Sequence, residues 1–277
     1  LRNAINPAVT RKQMVGYVPK LETISEQHLR RWVEAGVLDV REALKRLVYE
    51  QLGGVLTRID ATEYYEDVVR VFDTAVRVGV TRVWPAFMSN NPWNRRSRRR
   101  TRELARRLME SAGDGVGIPD LVAKAVRDDV LPENDLLATL LAPYFAGIDT
   151  VASSLSFACH AVAAHPEATA RVRDELDAMD GPLSVDSLRK LPSLRAFVLE
   201  TLRCHPVTSL SMRHTTAPVE FAGFEIPTGY PCAFALPLTL KLPEHYPDPD
   251  RFDIDRFPGG KSTAPPGVFL PYGTGPH

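Results

Sequence analysis

Cysteine is scarce in this chain. Cys159, Cys204 and Cys232 are the only three in 277 residues, too few and too scattered for a disulfide framework or a cysteine-rich zinc site. Charge of one sign is also lacking: 34 Lys and Arg stand against 34 Asp and Glu, so no global field points to nucleic acid or to an anionic membrane. The seven histidines show no HExxH or similar metal spacing. No apolar run reaches the length of a membrane span, and no secretory leader is present. The chain starts at Leu1 without methionine, which predicts that the natural N-terminus lies upstream. Membrane association is therefore left open, and a cytoplasmic location is expected if no anchor precedes Leu1. What is present is ordinary for a globular protein. A hydrophobic share of 44% and a charged share of 25% supply a sizeable core, in one large domain or two small ones.

The texture divides the chain into a helix-rich stretch, residues 1–206, and a strand- and loop-rich stretch, residues 207–277, read as two lobes of one unit. Leu21 to Ala35, Asp39 to Leu56 and Thr62 to Val80 carry apolar residues at three- and four-residue spacing, as amphipathic helices do. Gly53-Gly54 should end or loosen the second. Trp84, Pro85, Phe87, Met88, Pro92 and Trp93 form a turn-rich apolar loop, followed by the helical pattern of NRRSRRRTRELARR, Asn94 to Arg107. Pro132, Glu133 and Asp135 are helix-start residues with no strong stop until His165-Pro166. That long helix should bend where Pro143 and Gly147 interrupt it. Helices are also expected from Pro166 to Met179 and from Pro192 to His205-Pro206. Beyond that point VEFAGFEIPTG, Val219 to Gly229, alternates like a small hairpin, and frequent prolines make the remainder irregular coil.

Four short motifs stand in order along the chain: AGIDT (Ala146 to Thr150), ETLR (Glu200 to Arg203), PDRF (Pro249 to Phe252) and YGTGPH (Tyr272 to His277). In AGIDT, Ala146 and Gly147 let another group approach the helix backbone, although small residues serve tight helix packing equally well. Asp149 beside Thr150 sets an acid next to an alcohol, a pair suited to relaying protons. In ETLR, Glu200 and Arg203 share a helical face at i, i+3 spacing, which by itself commonly means a solvated ion pair. Gly273 and Gly275 near the end permit positive dihedrals and close approach to a flat ligand.

Together, in this order and spacing, the four motifs resemble the haem-thiolate oxygenases of the cytochrome P450 family. The resemblance covers almost the whole chain and implies a mainly α fold with small β-sheets (α+β), here incomplete. It implies that the chain is a single partial domain over residues 1–277, cut at both ends. In the family a cysteine, the iron ligand, lies two residues beyond the position of His277. The resemblance also implies haem as cofactor. Ala146, Gly147, Asp149 and Thr150 would border the oxygen-binding face, with Asp149 and Thr150 catalytic in proton delivery. Tyr272, where phenylalanine is usual, and Gly273 would belong to the loop around the ligand. His277, Arg213 and Arg2 would reach haem propionates. Glu200, Arg203 and Arg251 of PDRF would form a buried structural network. Substrate contact would come from Trp84, Phe87 and Met88, from Tyr144 and Phe145, and from Val207 to Leu210, all of which fit ordinary core as well.

The implied activity is insertion of one oxygen atom into a small apolar substrate. Electrons would come from a ferredoxin or a flavoprotein reductase, since no motif here binds flavin or nicotinamide, and no nucleic-acid partner is expected. Two alternatives remain: an isomerase or peroxide-using enzyme on the same scaffold, and a haem-free remnant or binding protein. Three other matches fail. GGKST (Gly259 to Thr263) lacks the first glycine of a phosphate loop and runs into Pro265-Pro266. DPDRFDID (Asp248 to Asp255) lacks the glycine and the final glutamate of a calcium loop. The arginine-rich helix fits a solvated face, or a surface near lipid headgroups, better than a nucleic-acid site.

Overall fold

The computed structural model describes residues 6–132 and 135–272. The chain divides into two units, one of Leu1–Ala152 with Leu183–Val185 and the other of Ser153–Pro182 with Asp186–His277. The division falls inside the long central helix rather than at residue 206, where the texture of the sequence changes.

In the first unit, α1 (Arg11–Ala35) begins ahead of the expected Leu21 and runs through Pro19 to Gly36, whose φ of 72° closes it. Helix α2 (Val40–Leu52) starts at Asp39, which accepts a hydrogen bond from the Glu42 N–H at 3.0 Å and so satisfies one orphan donor of the first turn. Regular α-helix stops at Leu52, and a wider π turn follows over Gly53–Thr57, the loosening that the glycine pair predicts. Helix α3 (Tyr65–Ala75) likewise runs into a π turn at Val76–Val80. Helix α4 (Pro92–Glu110) is the arginine-rich segment. Asn91 caps it by accepting from the Trp93 N–H at 3.0 Å, and Pro92 fills the first turn. Its inner stripe is Asn94, Ser97, Thr101, Leu104, Ala105 and Leu108, all buried.

Helix α5 (Ile118–Arg127) is anchored by Asp120, a buried carboxylate that accepts from the Gly113 N–H at 2.7 Å and the Gly117 N–H at 2.9 Å and pairs with Arg58. A Cβ at Gly115 would stand 2.5 Å from that carboxylate, so the turn before α5 requires glycine there. The core of this unit is rich in tyrosine. The Tyr49 ring lies 4.8 Å from that of Tyr144, tilted by 37°, and meets Tyr65 edge-on at 5.3 Å. The Tyr49 hydroxyl donates to the Ala61 carbonyl at 2.9 Å, and the Tyr144 hydroxyl lies 2.8 Å from Thr57 Oγ1. Buried phenols need such partners. Leu104, Leu108, Val122, Leu140, Leu141 and Ile148 fill the space around them.

Helix α6 (Leu136–Ala164) contributes to both units. It is continuous through Pro143 and Gly147, the positions of the expected bend. Pro143 has no N–H to give the Thr139 carbonyl. By length and composition α6 is apolar enough to cross a membrane, which corrects the expectation that no segment is. Pro143, Gly147 and Asp149 break the apolar run in the sequence without ending the helix. Leu140, Tyr144, Ile148 and Ala152 are fully buried and Asp149 is ion-paired, the features of a core helix.

The second unit adds α7 (Pro166–Asp177), α8 (Val185–Arg189), α9 (Pro192–Cys204) and the four-residue α10 (Leu236–Thr239). Strand β1 (Ser211–His214) pairs antiparallel with β4 (Pro231–Phe234), Arg213 opposite Cys232. The expected hairpin is β2 (Val219–Phe221) with β3 (Phe224–Ile226). Ala222 and Gly223 turn it with φ of 51° and 80°, the two positive values of a type I′ turn. Ala161, Phe197, Ile254 and Phe257 form the core of this unit.

Candidate functional site

The AGIDT turn of α6 points in two directions. Ile148 is buried in the tyrosine core, and the space beside Gly147 is taken by Leu52 of α2, whose Cδ1 would stand 2.7 Å from any Cβ there. Gly147 therefore allows α2 and α6 to pack closely. Ala146 and Thr150, one turn apart, lie exposed on the open side of the helix. The Thr150 hydroxyl donates to the Ala146 carbonyl at 2.7 Å, a bond back to the preceding turn that loosens a helix locally.

Among Asp, Glu, Lys and Arg, Asp149 alone occurs in the 29-residue α6, and α2 holds it. Lys45 Nζ lies 2.6 Å from Asp149 Oδ1, and Arg41 Nη2 lies 4.0 Å from the same oxygen. Lys45 is nearly buried while the Asp149 side chain is one-third exposed. The sequence reading did not find Lys45 or Arg41. Nothing local marks them, because their partner is far along the chain.

In the second unit Glu200 and Arg203 of α9 are both fully buried. Arg203 Nε donates to Glu200 Oε2 at 2.7 Å and Nη2 to Oε1 at 2.8 Å, the bidentate fork that binds a carboxylate most tightly. The remaining donors of Arg203 reach the backbone carbonyls of Leu240 at 3.0 Å, Pro249 at 2.7 Å and Arg251 at 3.1 Å. Glu200 also accepts the Asp253 N–H at 2.8 Å. Burial works against the Arg203 charge, and the bonds to Glu200 more than offset it, so its pKa stands above the ordinary value. Here the structure alters one expectation. The second guanidinium at Glu200 belongs to Arg256, 3.4 Å from Oε1, while Arg251 is exposed and contributes only its carbonyl. The sequence PDRFDIDRF repeats Asp-Arg-Phe, and the second copy turns its arginine inward between the buried Ile254 and Phe257.

The remaining expected residues are spread out. Arg213 lies exposed on β1, with Nη1 donating to Ser211 Oγ at 2.9 Å and to the Met212 carbonyl at 2.8 Å. Tyr272 is exposed. Gly273, His277 and Arg2 lie outside the described residues. Of the expected substrate contacts, Tyr144 is core, bonded to Thr57, and burial pushes its pKa up to about 12. Phe145 stacks on Phe72 at 5.4 Å and lines a cavity of about 280 Å³ with Val71, Leu137 and Leu141. Trp84 and Met88 line a separate groove, while Phe87, Thr208, Ser209 and Leu210 are exposed.

No cluster of three or more His, Cys, Asp or Glu able to hold a metal exists among the described residues. Cys159 and Cys204 do not offer a ready thiolate. Burial pushes Cys204 up to about 11 and raises Cys159 as well, and a protonated thiol is a poor metal ligand. The open stripe of Ala146 and Thr150 suits one face of a flat apolar group, with a small methyl for close approach and one hydroxyl. Neither Cys159 nor Cys204 supplies the thiolate that such a group would need.

Comparisons with known proteins agree on one family. The family model described as Cytochrome P450 matches residues 87–277. Over its full length the chain is 27% identical to cyclooctat-9-en-7-ol 5-monooxygenase of Streptomyces melanosporofaciens, covering 64% of that protein. It is 26% identical to the putative cytochrome P450 120 of Synechocystis, covering 99% of this chain and 64% of that one. The retinoic-acid-bound structure of cyanobacterial CYP120A1 superposes with a TM-score of 0.83 at 23% identity, covering 99% of this chain and 65% of that one. The chain thus spans a little under two-thirds of the length of these relatives.

Proposed function

This chain belongs to the cytochrome P450 family, and from that premise we propose that the protein is a haem-dependent monooxygenase that oxidises a small, largely apolar substrate. When bound, the haem would supply oxygen activation, and a thiolate ligand would favour O–O cleavage. Ala146 and Thr150 would line its oxygen-side face. Arg213, and beyond the described residues Arg2 and His277, would anchor propionates. The observation that carries this reading is the Asp149-Thr150 pair, the one charged turn of an otherwise apolar helix.

The chain's own residues divide the work. Thr150 donates its one proton to the Ala146 carbonyl and can accept a hydrogen bond on its oxygen; rotation of the hydroxyl away from Ala146 would free that proton for relay. Asp149 is paired with Lys45, and once it swings from the lysine it can act as the local proton acceptor and donor for that hydroxyl. The Glu200–Arg203–Arg256 network fixes the coil of residues 249–257 to α9 and takes no part in chemistry. Phe145 and its cavity supply apolar surface for substrate. A hydrocarbon-rich substrate also fits the names of the relatives, one acting on cyclooctat-9-en-7-ol and one binding retinoic acid. Electrons would come from a separate ferredoxin or flavoprotein reductase.

The test is the carbon monoxide difference spectrum of the reduced full-length protein. A thiolate-type band is expected, and its absence from a protein loaded with haem rejects the reading. In the same protein, Thr150→Ala should keep that band while reducing equivalents are diverted from product to peroxide.

A further inference from the structure

Two neighbouring cavities of the first unit carry charge of one sign only. The cavity of about 280 Å³ beside Phe145 has Val71, Leu137 and Leu141 in its wall, and α4 adds Arg98, Thr101 and Arg102. A second cavity of about 230 Å³ shares Val71 and Arg98 and adds Thr74, Ser89 and Asn94. Among the described residues no carboxylate lines either one. Other hollows are balanced. Glu66 and Asp73 offset Arg70 and Arg77 in the groove beside Trp84. Glu50 and Asp60 likewise accompany Lys20 and Arg58 where α1 meets the turn after α2.

Arg98 and Arg102 stand four residues apart on one helix, where like charges repel. Other arginines of α4 meet acids of the chain, as Arg100 and Arg107 do at Glu63, at 2.8 and 2.7 Å. Arg98 is half-buried, and its Nη1 donates to the Ser89 carbonyl at 3.0 Å. That acceptor is neutral, and a carboxylate would make a stronger bond. A guanidinium has five donors, so the Ser89 bond can persist while an anion is held.

We propose that this pair selects a carboxylate: the substrate is an apolar organic acid, its carboxylate on Arg98 with Arg102 adding attraction, and its hydrocarbon body along Val71, Leu141 and Phe145. The inference rests on the reading above that the Phe145 cavity takes the substrate. Each cavity alone falls below the usual lower bound of about 300 Å³ for a small-molecule site, and a ligand passing between Val71 and Arg98 would use both. From Leu137 to Phe145 the α6 wall runs about 12 Å, length enough for a hydrocarbon body. A planar carboxylate matches the guanidinium fork. With a single charge it also costs less to bring beside leucine and phenylalanine than a phosphate monoester does.

The experiment titrates the full-length protein by calorimetry with dodecanoic acid and with adamantane-1-carboxylic acid, each against its methyl ester. At least one acid should bind about tenfold or more tightly than its ester. Arg98→Gln should abolish that preference while the ester stays within about twofold of its original affinity. Arg102→Glu, at an exposed position, should weaken the acid about tenfold and leave the ester unchanged. It decides the matter even if Arg98→Gln disturbs the loop at Ser89. Arg95→Gln, which lines neither cavity, is the control and should alter nothing. Failure of both acids to bind, or acids and esters binding alike, overturns the proposal. So does a preference that survives both Arg98→Gln and Arg102→Glu, or one that Arg95→Gln removes equally. A thiolate-type carbon monoxide band without any preference for acids would overturn this inference alone, and calorimetry reads the preference whether or not that band is found.

Discussion

Asp149 and Glu200 are each a carboxylate on a helix, held by cations, and they differ in nearly everything else. Glu200 is sealed from water and receives the Arg203 fork, the Arg256 guanidinium and the Asp253 N–H. Asp149 is one-third exposed and faces one close lysine and one distant arginine. A fork of fixed planar donors leaves its partner no freedom, whereas an ammonium on a flexible stem does. The difference separates a carboxylate that must never move from one that can exchange partners. The surroundings make the first a fixed part of the architecture and leave the second free for the proton transfer proposed for it.

The largest effect should come from breaking the sealed site. Glu200→Ala leaves the Arg203 charge buried without its fork, and losses of this kind run to about 3–5 kcal/mol. Urea denaturation of the purified chain should show this as a lower midpoint, or as failure to fold. Retention of the original midpoint would mean that Glu200 is no more embedded than Asp149. The neighbouring pair of arginines gives a finer test. Arg256→Ala removes a partly sequestered partner of Glu200 and should cost about 1–3 kcal/mol, whereas Arg251→Ala removes an exposed side chain and should stay within about 0.5 kcal/mol. Equal costs would remove the distinction drawn between the two Asp-Arg-Phe copies.

That arginine shows how far the sequence could be read. The motif order led to the right network and the right helix, because Glu200 and Arg203 are set by i, i+3 spacing on α9. The choice between Arg251 and Arg256 depends on how an irregular coil turns, and no periodicity governs that. The hairpin at residues 219–226 and the loosening at Gly53-Gly54 were legible for the opposite reason, since local turn chemistry decides both. Within AGIDT the sequence names the residues but not their directions. Gly147 faces Leu52, while Ala146 and Thr150 face outward, a split set by the rotation of α6 against α2. Lys45 was invisible because a long-range ion pair leaves no local pattern.

Asp149 should show the reverse balance to Glu200. Asp149→Asn loses an ion pair that is partly open to solvent, so the expected cost in stability is about 1 kcal/mol or less. In the full-length enzyme, however, product formed per electron pair should fall sharply, because an amide cannot take up and return a proton. Lys45→Met is the companion. It frees Asp149 without removing it, and it should leave product per electron pair well above that of Asp149→Asn. A large loss of stability with unaltered coupling in Asp149→Asn would place this carboxylate with Glu200.

The smallest effect tests whether the Glu200 surroundings are dry. Cys204 follows Arg203, with Sγ 3.0 Å from Nη2 and 3.7 Å from Glu200 Oε1. Burial first, and the Glu200 charge second, push its thiol up to about 11. An unfolded thiol ionises near about 8.5, so the folded chain binds this proton more tightly. The stability it contributes is complete below that value and is lost as pH rises toward 11; at neutral pH, Cys204→Ser should leave the ionic balance unchanged. Alkylation by iodoacetamide at mildly alkaline pH reads the same quantity, because only the thiolate reacts. Cys204 in the folded chain should label about a hundredfold more slowly than in the urea-unfolded chain, from the thiolate fraction alone. Labelling at the unfolded rate would put water beside Glu200. Its carboxylate would then be as free to change partners as Asp149, and the assignment of one to structure and the other to chemistry would have to rest on something other than solvent exclusion.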